Sequence, residues 1–232
     1  MRAISNVTAV TVTCNTFGYF VRMYEAFRRF HPKMKLIIID NSNIGSQCYK
    51  GVQKLKSDIN EVYYFRNNIG HGKGLNFGIS KAVTPYVLIM DSDTEILKDP
   101  LPEMLKDMDE NTYGVGCIID VGRDGYDYLA FKHHKEPIRY LHPFFALINR
   151  EMFHKYQPFV HHGAPWYKAA VQIHDLKQEY LIKHFNGLRA FDHAADGRLI
   201  GTRTEYVLHD FGATRRKMKQ MGRPEIKLGW EL

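Results

Sequence analysis

Apolar and polar positions along this chain fall into two rhythms. Short runs that are apolar or β-branched at most positions occur at Val7 to Thr13, Lys35 to Ile39, Glu61 to Phe65 and Tyr86 to Met90. Runs of that length, closed by polar clusters, predict strands buried in a sheet. Between them the period changes. Phe20, Met23, Tyr24, Phe27 and Phe30 stand at helical spacing just before Pro32, and Cys48 to Leu55 also reads as a helix. The stretch IGHGKGLNFGISKAV opens with three close glycines, which allow tight backbone approach at a helix start, and Pro85 ends it. Strand and helix thus alternate four times, which predicts an α/β domain with a mostly parallel sheet flanked by helices.

The second half is less regular. Leu101 to Met108 predicts a short helix and Val115 to Ile119 a strand, and Asp120 to Tyr128 is a Gly/Asp-rich turn. Pro143 to Asn149 reads as a strand followed by a helix from Arg150 to Tyr156. Helical periodicity runs from Tyr167 to Phe185, and Tyr206 to Leu208 leads into His209 and a basic tail. No repeat or linker divides the chain, so residues 1–232 are expected to form one domain.

Each early strand ends in a polar cluster: Cys14-Asn15, then Asp40-Asn41-Ser42-Asn43, then Arg66-Asn67-Asn68, then Asp91-Ser92-Asp93. Open α/β sheets bind ligands just beyond the carboxyl ends of their strands. Asp91 and Asp93 have no basic neighbour in sequence to relieve their repulsion, and a divalent cation with a taste for hard oxygen, Mg²⁺ or Mn²⁺, would relieve it. The same residues also read as a solvated loop, and their spacing alone does not decide. The glycines Gly70, Gly72 and Gly74 do not have dinucleotide-fingerprint spacing, and no phosphate-loop motif is present.

Charge and composition narrow the partners. The formal charge is +7, before counting twelve histidines, and the pI is near 9.2. That excess favours anionic partners such as phosphates or nucleic acid. Much of it sits in Arg215, Arg216, Lys217, Lys219, Arg223 and Lys227. Three widely spaced cysteines without C-x-x-C spacing argue against a disulfide scaffold or zinc site, and a reducing cytoplasm fits them. No apolar run approaches the ~20 residues that span a bilayer, and no signal-peptide pattern is seen.

Asn15, Asp40-Asn41-Ser42, Asn68, Gly70, Asn76, Gly78 and the Asp91-Ser92-Asp93 triplet stand in an order that resembles the nucleotide-sugar-dependent glycosyltransferases of the GT-A fold, family 2 type. Gly74 departs from the alanine usual in that family, and the likeness covers about the first 100 residues. The resemblance implies a metal-dependent transfer from a UDP-sugar to an acceptor hydroxyl, with inversion. It implies that Asp93 ligates Mn²⁺ or Mg²⁺, that Asp91 meets the metal or its water and the ribose, and that His209 completes the metal site. It further implies donor contacts by Thr13, Asn15, Asp40 (to a uracil N–H), Asn68, Gly70, Lys73, Asn76 and Ser92. Arg215 and Arg216 would clamp the diphosphate, within a segment 212–222 that orders over the donor. The family's catalytic base is an acid of an E-D pair. Here His174-Asp175 is nearest to it, so Asp175, or His174, is the expected base. Trp166 and Tyr167 read equally as a sugar platform or as core. The acceptor is left open among a glycan, a protein and a nucleic acid, including a hydroxylated pyrimidine in DNA. A nucleotidyltransferase and an inactive nucleotide-sugar-binding protein are the competing readings.

Overall fold

The computed structural model describes residues 3–126, 136–196 and 198–212. In chain order the first half runs β1 (Val7–Thr13), α1 (Phe17–Phe30), β2 (Leu36–Asp40), α2 (Gln47–Gln53), β3 (Asn60–Tyr64), α3 (His71–Lys81) and β4 (Tyr86–Met90). Every residue of β1, β2 and β4 is buried, which is why their sequences lack polar alternation. The second half runs β5 (Thr94–Ile96), α4 (Leu101–Asp107), β6 (Gly114–Val121), β7 (Ile138–Asn149), α5 (Arg150–Phe153), α6 (Tyr167–Asp175) and β8 (Ile182–His184). Four short strands close the described chain: β9 (Asp192–His193), β10 (Leu199–Ile200), β11 (Thr202–Arg203) and β12 (Val207–His209).

A seven-stranded sheet has the order β3-β2-β1-β4-β7-β6-β8. The four early strands are mutually parallel, and β7 lies antiparallel between β4 and β6. Side chains alternate between two cores. Ala9, Leu36, Ile38, Leu88 and Met90 face the layer that holds Phe20, Met23 and Phe27 of α1. Val10, Val12, Ile37, Ile39, Val87 and Ile89 face Leu75 and Ile79 of α3 and Ile173 of α6. The helix α3 lies close on the sheet because Gly74 and Gly78 share one face of it. A Cβ at Gly78 would overlap Val10, and one at Gly74 would stand 2.9 Å from Val12.

One expectation needs correcting, and one reading left open is decided. The helical pattern from Tyr167 does not reach Phe185. It stops at Asp175, Lys177 takes a φ of +56°, and Ile182–His184 joins β6 as a parallel strand. Leu181 and Ile182 are buried in the core that α6 packs on, so a helical apolar count could not separate helix from strand there. Trp166 is core rather than platform: it is 1% exposed and its Nε1–H donates to Tyr113 Oη at 2.8 Å.

Candidate active site

The polar clusters at the strand ends knit into one lattice. Parallel pairing sets Thr13 opposite Asp40. Asn15 adopts a left-handed φ of +56°, donates its backbone N–H to Ser42 Oγ at 2.9 Å and accepts from the Asn43 N–H at 3.0 Å. Asp40 is fully buried, and its carboxylate accepts from the Ser42 N–H at 2.9 Å and from Gln53 at 3.4 Å. Asn68 Oδ1 accepts the Gly70 N–H at 2.7 Å, which sets the entry to α3, and the Ile69 N–H points to Asn41 Oδ1 at 3.4 Å. Thr13 Oγ1 faces Thr16 and Cys48. A cleft of about 510 Å³ opens beside this lattice, lined among others by Asn15, Phe17, Tyr19, Arg22 and Gln47.

The acidic corner lies one strand away. The Asp91 N–H donates to the Phe144 carbonyl at 2.8 Å, so β7 fixes the exit of β4. The chain then turns into β5, which pairs antiparallel with β12 in a register that sets Thr94 opposite His209. The Asp210 N–H donates to the Asp93 carbonyl at 2.9 Å. Residues 116 positions apart in sequence are thereby brought together: His209 Nε2 lies 3.5 Å from Asp93 Oδ1 and 3.9 Å from Asp91 Oδ2. One ligand atom from each of the three falls within 4.8 Å of the others.

Three observations fit these residues to a divalent cation. His209 is buried, stacks on Phe144 at 4.5 Å between ring centres, and holds the Ala190 carbonyl at Nδ1. That bond places a ring proton on Nδ1 and turns Nε2 toward the carboxylates, the orientation in which it would offer its lone pair to a metal. Asp91 Oδ1 is buried with His71 Nε2 2.9 Å from it, and Oδ2 is left on the side of His209. Charge tells the same story. Burial raises the Asp91 carboxyl, but His71 and then His209 outweigh it and hold it down at about 2. Burial depresses His209, and Asp93 then Asp91 more than restore it, so its pKa ends above the usual imidazole value. A positive charge belongs between these groups, and the donor set of two carboxylates and one imidazole suits Mn²⁺ or Mg²⁺.

Around the corner stand groups that the sequence did not single out. His71, the first residue of α3, has its pKa raised: burial opposes the charged form, but Asp91 and Asp93 outweigh it. His142 on β7 is held neutral at about 3, first by burial and then by His209. Their signal in the sequence was faint, since His71 sits within a glycine-rich run and His142 before Pro143. Gly70 has a φ of +83°, and its Cα packs under the exposed His161 ring, where a Cβ would overlap.

The remaining predicted residues are spread more widely. Ser92 is buried within the acidic turn, and Lys73 is exposed on the first turn of α3. Asn76 makes a reciprocal pair with the Phe159 backbone, at 2.7 and 3.0 Å, tying α3 to the loop before α6. Asp175 is the last residue of α6 rather than near its start, and Arg123 grips it at 2.7 and 3.3 Å. His174 Nδ1 lies 2.7 Å from Glu179. No described contact joins His174 or Asp175 to the acidic corner. Arg215, Arg216 and nearly all of 212–222 lie outside the described residues.

The sheet order, with a D-x-D turn at the end of β4 and a histidine returned beside it, defines a protein of the GT-A glycosyltransferase fold. The chain belongs to glycosyl transferase family 2, whose profile matches residues 8–172. Two curated relatives, an uncharacterized glycosyltransferase of Rickettsia felis and one of Rickettsia conorii, are 26% and 25% identical over 116 residues. Those matches take in 47% and 48% of this chain but only 18% and 19% of the relatives' own lengths. Among solved structures, the mannosyltransferase PcManGT of Pyrobaculum calidifontis, in complex with GDP-Man and Mn²⁺, aligns with a TM-score of 0.55 at 15% identity, over 79% of this chain and 57% of that one. A TarS fragment of S. aureus in complex with UDP-GlcNAc aligns with a TM-score of 0.53 at 14% identity, over 78% and 56%. At those identities the structural likeness speaks for the fold. Among the described residues, no helix is long and apolar enough to cross a membrane.

Proposed function

We propose that this chain is a metal-dependent glycosyltransferase that moves a sugar from a nucleoside-diphosphate sugar, UDP-linked by preference, to an acceptor hydroxyl with inversion. The observation that carries this reading is the Asp91–Asp93–His209 cluster, with the His209 lone pair oriented by Ala190. Mn²⁺ or Mg²⁺ held there would neutralise the departing diphosphate as a Lewis acid. The structural neighbours solved with GDP-Man and Mn²⁺ and with UDP-GlcNAc support the donor class.

The chain's own residues divide the work. Asp93, His209 and Asp91 would hold the cation. The cleft beside Asn15, Tyr19 and Arg22 takes the nucleoside, and Asp40 shapes it from beneath by fixing the Ser42 backbone. Asn68 and Gly70 present the start of α3, with Lys73 on its first turn, to the phosphates. Arg215 and Arg216 would add guanidinium contacts to the diphosphate. A role for Asp175 or His174 in taking the proton shed by the acceptor would first require them to release Arg123 and Glu179, which hold them here. The first 100 residues or so form the donor half and the remainder the acceptor half of one domain. None of the three cysteines is in a disulfide, in keeping with a reducing cytoplasm.

The test is nucleotide release from UDP- and GDP-sugars with Mn²⁺, Mg²⁺ or EDTA, with acceptor screens that include glycans, proteins and hydroxymethylated DNA. Metal-dependent release that rises with an acceptor is expected. Full turnover in excess EDTA would sink the metal-dependent reading.

A further inference from the structure

Imidazoles crowd the acidic corner, and their backbone partners set two of them to opposite tasks. His209 gives its Nδ1–H to Ala190 and turns Nε2 toward the carboxylates. His142 is the reverse. Its Nδ1 accepts the Phe144 N–H at 3.3 Å, so the ring is neutral and its proton sits on Nε2. Neither nitrogen then has a lone pair free for a cation. The ring is half-buried, so a ligand can reach it, and no described residue accepts from Nε2. It stands 6.3 Å from the His209 ring centre, beside the metal cluster. On its other sides lie Phe191 at 6.0 Å and Phe211 at 6.4 Å, whose own rings are 5.2 Å apart.

We propose that His142 is a neutral N–H donor to a hydroxyl of the bound donor sugar, standing beside the cation site and not in it, with Phe191 and Phe211 as the apolar wall of that subsite. A neutral donor adds a hydrogen bond without placing a second positive charge against the cation. Aromatic rings with one directed polar group suit a sugar, which offers C–H faces and hydroxyl edges. The ligand half of this proposal rests on the glycosyltransferase reading; the tautomer half does not.

The test uses ¹⁵N-histidine-labelled protein and long-range proton–nitrogen correlation spectra, with His142 assigned from His142→Gln. Spectra are taken free, with Mg²⁺, with Mg²⁺ and UDP or GDP, and with Mg²⁺ and UDP-glucose, UDP-N-acetylglucosamine or GDP-mannose. The expected spectrum shows His142 protonated at Nε2 throughout. Mg²⁺ should shift Nε2 of His209 and spare both nitrogens of His142, while a sugar nucleotide, unlike its bare nucleotide, should shift the His142 Nε2–H. An unprotonated His142 Nε2 that Mg²⁺ alone shifts would make it a ligand and overturn the proposal. An equal shift with bare nucleotide would move the contact to the diphosphate and overturn the sugar assignment. If none of the three sugars binds, the donor reading fails and the ligand half with it, while the free-protein spectrum still decides the tautomer. By calorimetry, His142→Ala should weaken the sugar nucleotide about 10-fold and leave the bare nucleotide unchanged. His142→Gln, which keeps an N–H, should recover part of that loss, and a Gln variant as weak as Ala would count against a donor role.

Discussion

The end of β4 and the end of α6 each carry an acid beside a histidine, and they are built in opposite ways. Asp91 lies largely buried and is faced by imidazoles, His71 at 2.9 Å from Oδ1 and His209 at 3.9 Å from Oδ2. Asp175 lies half-exposed and already holds a guanidinium through both oxygens. A carboxylate this buried is costly unless charge is brought to it, and here imidazoles bring it. An exposed pair needs no such explanation and contributes little. The difference separates a cluster of groups that could hold a cation from a surface ion pair.

Breaking the β4 side should have the largest effect. Asp91→Asn should lower turnover by at least about 100-fold, as expected when charge stabilisation at a leaving group is lost, and the melting temperature should fall modestly, because His71 and His209 lose the carboxylate that balances them. Kinetics paired with thermal melts check this; a variant that melts early and keeps its turnover would make Asp91 structural. Next comes the scaffold that carries the corner. Gly78→Val should force α3 off Val10 and cost about 1–3 kcal/mol by overpacking. Denaturant unfolding reads that cost, and an unchanged midpoint would mean that α3 does not lie as close as described. Asn76→Ala should cost about 1–3 kcal/mol by orphaning the Phe159 backbone groups, with metal affinity less affected than stability.

The α6 side should be quieter. Asp175→Asn should leave metal affinity unchanged and cut turnover by less than about 10-fold, against the 10²–10⁴ expected of a general base. A loss in the latter range would return Asp175 to the chemistry. The smallest effect concerns Asp109, whose carboxyl is held well below the usual range first by Lys183 and then by Thr112. With the folded-state pKa depressed, its stabilisation is present above the ordinary carboxylate range and fades as pH falls toward the folded value. Asp109→Asn should therefore narrow the stability gap between pH 7 and pH 3 slightly, by under about 1 kcal/mol because both partners are partly exposed. Equal pH dependence in the two proteins would remove that contribution.

The parallel half was legible because β1, β2 and β4 are buried on both faces and β3, at the sheet edge, is partly buried, so apolar runs and polar stops fall within a residue or so of all four. The second half was not, because its ordering comes from long-range pairing. Nothing local marks Thr94–Ile96 as a strand; it becomes one by pairing with Val207–His209. The motif order singled out Asp91, Asp93 and His209, while the distances among them needed that register. His71 and His142 escaped because an isolated histidine carries no spacing signal, and their roles follow from Asp91 and the Phe144 backbone. The loop asparagines and Asp40 were expected as ligand contacts. In the fold their side chains first hold one another's backbones, as Asp40 does for Ser42 and Asn68 for Gly70.

Mn²⁺ binding, followed by electron paramagnetic resonance of the free ion in wild type, Asp93→Asn, His209→Ala and Asp175→Asn, tests the central claim most directly. The account predicts one site per chain in wild type and in Asp175→Asn. In Asp93→Asn and His209→Ala, affinity should fall by more than the roughly 10- to 100-fold that loss of an outer-shell partner costs. Wild-type affinity in Asp93→Asn and His209→Ala, or no bound Mn²⁺ in wild type even with nucleotide present, would contradict it.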